Sequence, residues 1–158
     1  MKKILYSIMV LITATVVMSS CSTTKNATTA SLGRSKVTGT WTVNSISYDG
    51  IVENAVQSLF DQGPANVFQG STWILTNSGK GNYSLTNGTV QPIFWAMNNN
   101  AGNSEFSFKK LNDGDKAKKV DSGYRMFVSS SDKNTLTLKA PVKYSGTTGY
   151  IVFNMVKK

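Results

Sequence analysis

"SEFSFKKL", Ser104 to Leu111, decides the fold of this 158-residue chain. Phe106 and Phe108 stand two residues apart, with Ser107 and Lys109 beside them. A helix would throw the two rings to opposite sides, whereas a strand sets both on one face and the polar residues on the other. The same period of two recurs along the chain. "GTWTVNSISY" from Gly39 sets Trp41 and Val43 against Thr40 and Thr42. "STWILT" aligns Trp73 with Leu75, and "NYSLT" aligns Tyr83 with Leu85. "GYRMFVSS" puts Tyr124, Met126 and Val128 on one face and Arg125 on the other. "NTLTLKA" sets Leu136 and Leu138 against Thr135, Thr137 and Lys139.

Two further runs depart from clean alternation. "TVQPIFWAM" is more apolar, and its Pro92 predicts an edge or a bulge. "TGYIVFNMVK" is apolar on both faces, so a neighbour or the linker ahead of the domain is expected to cover its outer side. The connections "NSGKGN", "TNGT", "NDGD" and "SSDKN" are short clusters of turn residues. Asn87-Gly88 is a hairpin signal because both residues tolerate positive φ. Eight strands joined by hairpins predict an all-β domain, a single up-and-down antiparallel barrel. One stretch changes period. "IVENAVQSLFDQG" spaces Val52, Val56, Leu59 and Phe60 as on a helix, and Gly63-Pro64 ends it. One helix of about ten residues is expected between the first and second strands, its apolar stripe covering an open barrel end.

Ahead of the domain the composition shifts twice. Met1-Lys2-Lys3 precedes an uncharged apolar run, Ile4 to Met18, followed by Ser19, Ser20 and Cys21. This is the layout of a secretory signal, with residues 1–20 removed. The apolar run is short of the roughly 20 residues a spanning helix needs; an uncleaved signal anchor is the alternative. "MSSC" resembles a bacterial lipobox, which makes Cys21 the lipidated first residue of the processed chain, carrying palmitate-type acyl chains. The alternative is a free thiol or an intermolecular disulfide, since no second cysteine exists. Residues 21–37, rich in Ser, Thr and Ala, read as a flexible tether too poor in apolar side chains to fold alone. Residues 38–158 then form the barrel domain. Residue 22 is Ser rather than Asp, and no acidic cluster follows Cys21. By analogy with lipoprotein sorting rules, the expected location is the cell envelope, anchored in the outer membrane and facing the periplasm.

Removing Lys2 and Lys3 leaves 15 basic residues against 8 acidic ones, a charge of about +7. In an exported protein such a balance suits anionic lipid better than nucleic acid. The densest basic run is "KKLNDGDKAKK", where Lys109, Lys110, Lys116, Lys118 and Lys119 are candidates for anionic headgroup contact, or simply a solvated hairpin tip.

Catalytic equipment is sparse. The chain has no histidine, and the acylated Cys21 offers no thiolate, which argues against the commonest general base and against nitrogen or thiolate metal sites. The eight carboxylates fall mostly beside turns, with no pair set on one inward face. "NDGD" lacks the further ligands of a calcium loop. No enzyme activity, cofactor or metal is expected. The aromatic residues are the better lead. Trp73, Tyr83, Trp95, Phe106, Phe108 and Met126 are the candidate ligand contacts, or else they fill the interior as core, as inward residues of small barrels mostly do.

At Gly39-Thr40-Trp41 the chain resembles the Gly-x-Trp opening of lipocalin and calycin barrels. Together with the strand series from "FQGSTWILTNSGKGNYSLT" to "TGYIVFNMVKK", residues 37 to 158 are similar to the lipocalin-like lipoproteins of Bacteroidetes. The resemblance implies a barrel with an internal cavity. Its motif tryptophan, Trp41, packs across the floor, often under an arginine near the end of the last strand. At that place this chain offers only Lys157 and Lys158. It also implies a monomer that holds a small hydrophobic or amphipathic ligand. The other reading is an envelope interaction or structural module that uses the barrel as a scaffold.

Overall fold

A computed structural model describes residues 32–100 and 102–158. The signal segment and Cys21 lie outside the described residues. Eight antiparallel strands follow one another round a closed barrel: β1 (Gly39–Asp49), β2 (Thr72–Leu75), β3 (Lys80–Ser84), β4 (Val90–Asn100), β5 (Asn103–Lys110), β6 (Tyr124–Ser131), β7 (Thr135–Tyr144) and β8 (Thr147–Lys157). Each strand pairs with its neighbours in sequence, and β1 closes on β8 from Trp41↔Lys157 to Asp49↔Tyr150. Closure leaves no edge strand, so every ladder has a partner on both sides. A helical turn, α1 (Arg34–Val37), precedes β1 and buries Val37 completely.

The barrel has two ends. The floor gathers α1, the start of β1, the β2–β3, β4–β5 and β6–β7 turns and the end of β8. The mouth gathers the end of β1, the β1–β2 segment, the β3–β4, β5–β6 and β7–β8 connections. Side chains expected inward are inward. Trp41, Val43, Trp73, Leu75, Tyr83, Phe106, Phe108, Met126, Leu136 and Leu138 all lie in one core cluster. Among the described residues, the outer side of β8 is partly covered by its own neighbours. Lys139 Nζ sits 5.6 Å from the Tyr150 ring centre, the Phe127 ring lies edge-on to Tyr150 at 6.4 Å, and Val152 is 9 % exposed.

Pro92 lies within β4 although a closed barrel has no edge. Its carbonyl accepts from Leu111 N–H on the β5 side, at the end of that ladder, so its missing N–H faces the same way. The Leu111 carbonyl, which a residue with an N–H could have bonded, accepts from Gln91 Nε2 at 3.0 Å. At Asn87-Gly88 the hairpin forms with only Gly88 at positive φ, and Leu85 N–H closes the loop onto Thr89 O at 2.8 Å. That is a three-residue loop ending in a left-handed glycine rather than a two-residue turn with both residues at positive φ. The β7–β8 hairpin does take positive φ at both central residues, Ser145 and Gly146.

Short helical turns do follow β1, but not as one helix of about ten residues over 51–63. Glu53–Ala55, within that stretch, and Ala65–Phe68, just beyond it, are 3-10 turns with a tight turn between them. Phe60 and Asp61 adopt φ of 52° and 51°, which no right-handed helix tolerates. Leu59 N–H bonds Gly63 O at 2.7 Å, and Gln62 N–H bonds Leu59 O at 3.1 Å, closing the loop on itself. Val52, expected on the buried stripe, is 62 % exposed, while Leu59 and Phe60 are buried. Sinking the Phe60 ring into the mouth outweighs local helix propensity, which is worth only tenths of a kcal/mol per residue.

Candidate functional site

The six side chains singled out as ligand contacts come together inside the barrel. Trp73, Tyr83, Trp95, Phe106, Phe108 and Met126 are each 0–1 % exposed. The five aromatic ones touch one another. Trp73 and Tyr83 lie 4.9 Å apart, Trp95 stacks on Phe106 at 5.6 Å, and Trp73 meets Phe108 edge to face at 5.5 Å. Edge-to-face and offset contacts at such distances are favourable beyond the area they bury. Each indole N–H has an acceptor: Trp41 donates to Val37 O, Trp73 to Ser71 Oγ and Trp95 to Lys80 O.

Sequence reasoning placed Phe60 on the cover of a barrel end but not among the ring contacts of the interior, and it missed Phe68. Phe60 enters from the mouth and meets Phe68 at 5.5 Å, Phe108 at 5.1 Å, Tyr124 at 5.1 Å and Phe153 at 6.0 Å. It closes the aromatic column like a stopper. Only the three-dimensional path of the β1–β2 segment brings it there. The polar side of this stopper is latched. Tyr124 donates its hydroxyl hydrogen to Asp61 Oδ2, Lys110 Nζ donates to Phe60 O at 3.1 Å, and Lys110 lies 3.9 Å from Asp61 Oδ2. Burial pushes the Tyr124 hydroxyl up to about 12, helped by the hydrogen bond to Asp61 and by its charge. Beneath the stopper the Tyr83 hydroxyl is buried and, among the described residues, has no hydrogen-bond partner at bonding geometry; burial raises its pKa strongly, with Tyr124 adding to the effect and the nearby Gln62 side chain opposing it. Outside the stopper a cavity of about 440 Å³ is lined by Val56, Leu59, Phe60, Tyr124, Arg125 and Pro141 among others.

The floor is built on the Gly39/Trp41 motif. The Trp41 ring closes the bottom of the barrel, and Lys157 Nζ sits 5.2 Å from its centre, where the resemblance implies an arginine. Gly39, at φ 141°, lets Lys157 lie across it, since a Cβ there would come within 2.6 Å of Lys157 Cε. A second cation, Arg34, lies 5.3 Å from the Trp95 ring centre and donates to Asn77 O. Of the stretch read as tether, the described part packs onto this floor. Leu32 N–H bonds Ser104 Oγ at 2.9 Å, and Leu32 rests against the core cluster. The lysine run Lys109–Lys119 lies at the opposite end. Lys110 serves the mouth latch, whereas Lys116, Lys118 and Lys119 are exposed in the β5–β6 connection.

Glu105 and Arg125, at 3.8 Å, and Asp49 and Lys139, at 2.9 Å, pair on the barrel wall. The Asp49–Lys139 pair is largely exposed and contributes little stability. No family model, curated protein or solved structure matches the chain. The closed eight-stranded antiparallel barrel is consistent with a lipocalin- or calycin-like fold.

Proposed function

We propose that the chain is a non-catalytic envelope lipoprotein, acylated at Cys21, whose barrel serves as a rigid scaffold that works through its ends and loops. The observation that carries this reading is the occupied interior, where the candidate ligand contacts pack ring against ring and Phe60 fills the mouth. A container for a ligand needs space or a way to make it; a scaffold needs rigidity, and a close-packed aromatic column supplies it. The partner would be another component of the envelope. The experiment is crosslinking in cells followed by affinity recovery of the full chain. One recurrent partner that is lost on substituting mouth residues supports the scaffold; a partner set no different from a bare lipid-anchored control refutes it. Anchoring is tested separately. Cys21→Ser is expected to leave the membrane fraction, and persistence of that variant in membranes would favour an uncleaved signal anchor.

A second reading rests on the stopper. A small aromatic or amphipathic molecule would enter if Phe60 lifted, take the place of its ring among Phe68, Phe108, Tyr124 and Phe153, and give the unpartnered Tyr83 hydroxyl an acceptor. Trp73, Tyr83, Trp95, Phe106, Phe108 and Met126 would then line its site. Native mass spectrometry of the purified chain reads this out: a bound small molecule supports it, and a bare mass in both wild type and Phe60→Ala removes it.

A further inference from the structure

Charge is unevenly divided between the two ends. The floor carries Arg34, Lys36, Lys80, Lys133, Lys157 and Lys158. The carboxylates on their side are Asp132 and, further up the wall and paired with Arg125, Glu105. Asp132 is occupied by its own turn. It accepts from the amides of Asn134 and Thr135 and from the Thr135 hydroxyl, and that hydroxyl contributes most to holding its pKa low. The mouth is mixed. Its lysine run is interleaved with Asp113 and Asp115, and Asp49, Glu53, Asp61 and Asp121 lie at the same end. The floor also holds a groove of about 480 Å³ lined by Lys36, Lys133 and Lys157 with Leu32, Ser35 and Ser131, and by Asp132, whose carboxylate is engaged by its own turn.

We propose that this floor is a lipid-facing surface and that its lysine groove receives the phosphate of anionic phospholipid headgroups. The inference rests on the anchored reading for its orientation. Leu32 is fixed to the floor side through Ser104 and Asn99. Ser22 to Ser31 separate it from Cys21, so the two lie at most about 40 Å apart even with the stretch fully extended. An anchor at Cys21 therefore joins the domain at its floor, the end nearest the attachment. There the cations meet a negative surface whose field fades within about 10 Å at moderate salt. Trp41 and Trp95, each under one of these cations, hold the long side chains of Lys157 and Arg34 against the barrel end rather than leaving them free. This assigns headgroup contact to the end opposite the Lys109–Lys119 run.

The test uses the full acylated chain on vesicles of phosphatidylcholine alone and of phosphatidylcholine mixed with phosphatidylglycerol, followed by hydrogen exchange. Slower exchange in residues 76–80, 132–134 and 157–158 is expected only with phosphatidylglycerol and only at low salt, with residues 111–121 unchanged. Lys36→Gln/Lys133→Gln/Lys158→Gln is expected to remove that protection, because each lysine near an anionic surface is worth about fivefold and three together on the order of 100-fold in occupancy. The variant spares Arg34 and Lys157, which pack on the core tryptophans. Protection at 111–121 instead, indifference to phosphatidylglycerol, or no effect of the triple substitution overturns the proposal. Equal protection by inorganic phosphate without vesicles, or by an acidic protein in their place, overturns the lipid as the source. Failure of the anchor reads differently: the chain washes off both vesicle types in high salt, while phosphatidylglycerol-dependent floor protection at low salt is still scored.

Discussion

Replacing Phe60 separates what its ring contributes from what its backbone costs. The ring is 6 % exposed and contacts Phe68, Phe108, Tyr124 and Phe153. Truncating a buried phenylalanine costs about 3–5 kcal/mol in transfer and cavity terms. Phe60→Ala is expected near the lower bound, about 3 kcal/mol, because the mouth is next to solvent and can partly collapse. Alanine keeps the left-handed backbone at φ 52°, which costs a residue with a Cβ about 1–2 kcal/mol. Glycine removes that cost but loses about 0.5–1 kcal/mol more in chain entropy. Phe60→Gly is therefore expected to be more stable than Phe60→Ala by about 0.5–1 kcal/mol, although glycine is the poorer choice at most ordered positions. Urea unfolding followed by tryptophan fluorescence measures both, with equal m-values confirming that midpoint shifts report stability. If Phe60→Ala lies within about 1 kcal/mol of wild type, the ring is no stopper. If the glycine variant is the weaker of the two, the left-handed turn is not the conformation in solution.

Tyr83→Phe deletes a buried hydroxyl with no partner at bonding geometry among the described residues, so it is expected to leave stability unchanged or raise it by about 1 kcal/mol; a clear loss in urea unfolding would mean that the hydroxyl is bonded, with Gln62 the nearest candidate. Gly81→Ala would drive a Cβ into the carbonyl oxygen of Ile74 on the neighbouring strand. A loss of about 2 kcal/mol or more is expected by thermal melting, and a neutral result would show that β2 and β3 can part. Alkali should weaken the fold through Tyr124. Its folded pKa of about 12 lies above the unfolded value of 10.0, so the stabilisation is complete below pH 10 and is lost as the pH rises toward 12. Tyr124→Phe should flatten that part of a stability-against-pH curve, and an unchanged slope would place the alkaline sensitivity elsewhere.

The strand series was legible in the sequence because facing is local. Adjacent residues in a strand point to opposite sides whatever the strand pairs with, so Phe106 and Phe108, Leu136 and Leu138, and Trp41 and Val43 could be assigned inward from spacing alone. Hairpin-length connections then left neighbour-to-neighbour pairing as the simplest arrangement, and the closed barrel follows it. The β1–β2 segment was misread for the complementary reason. Val52, Val56, Leu59 and Phe60 have helical spacing, yet their conformation is set by a hole at the barrel mouth that exists only after closure. Likewise, periodicity marked Trp73, Tyr83, Trp95, Phe106, Phe108 and Met126 as facing inward, but it could not say whether they line a space or fill it. That depends on how far rings from different strands reach across the barrel, and on Phe60 and Phe68 arriving from outside the ladder.

Composition sets the total charge and the order of residues sets which positions bear it, but neither says where it gathers. Lys36, Lys80, Lys133 and Lys157 are scattered through the chain, and they share one end because up-and-down strands return to the same side at every second turn. The lysine run dense enough to be noticed in the sequence instead lies at the mouth among carboxylates. Side-chain alternation is a property of one strand, so it is written in the sequence. The stopper, the packed interior and the basic floor are properties of the closed circuit, because each joins residues that only closure brings together.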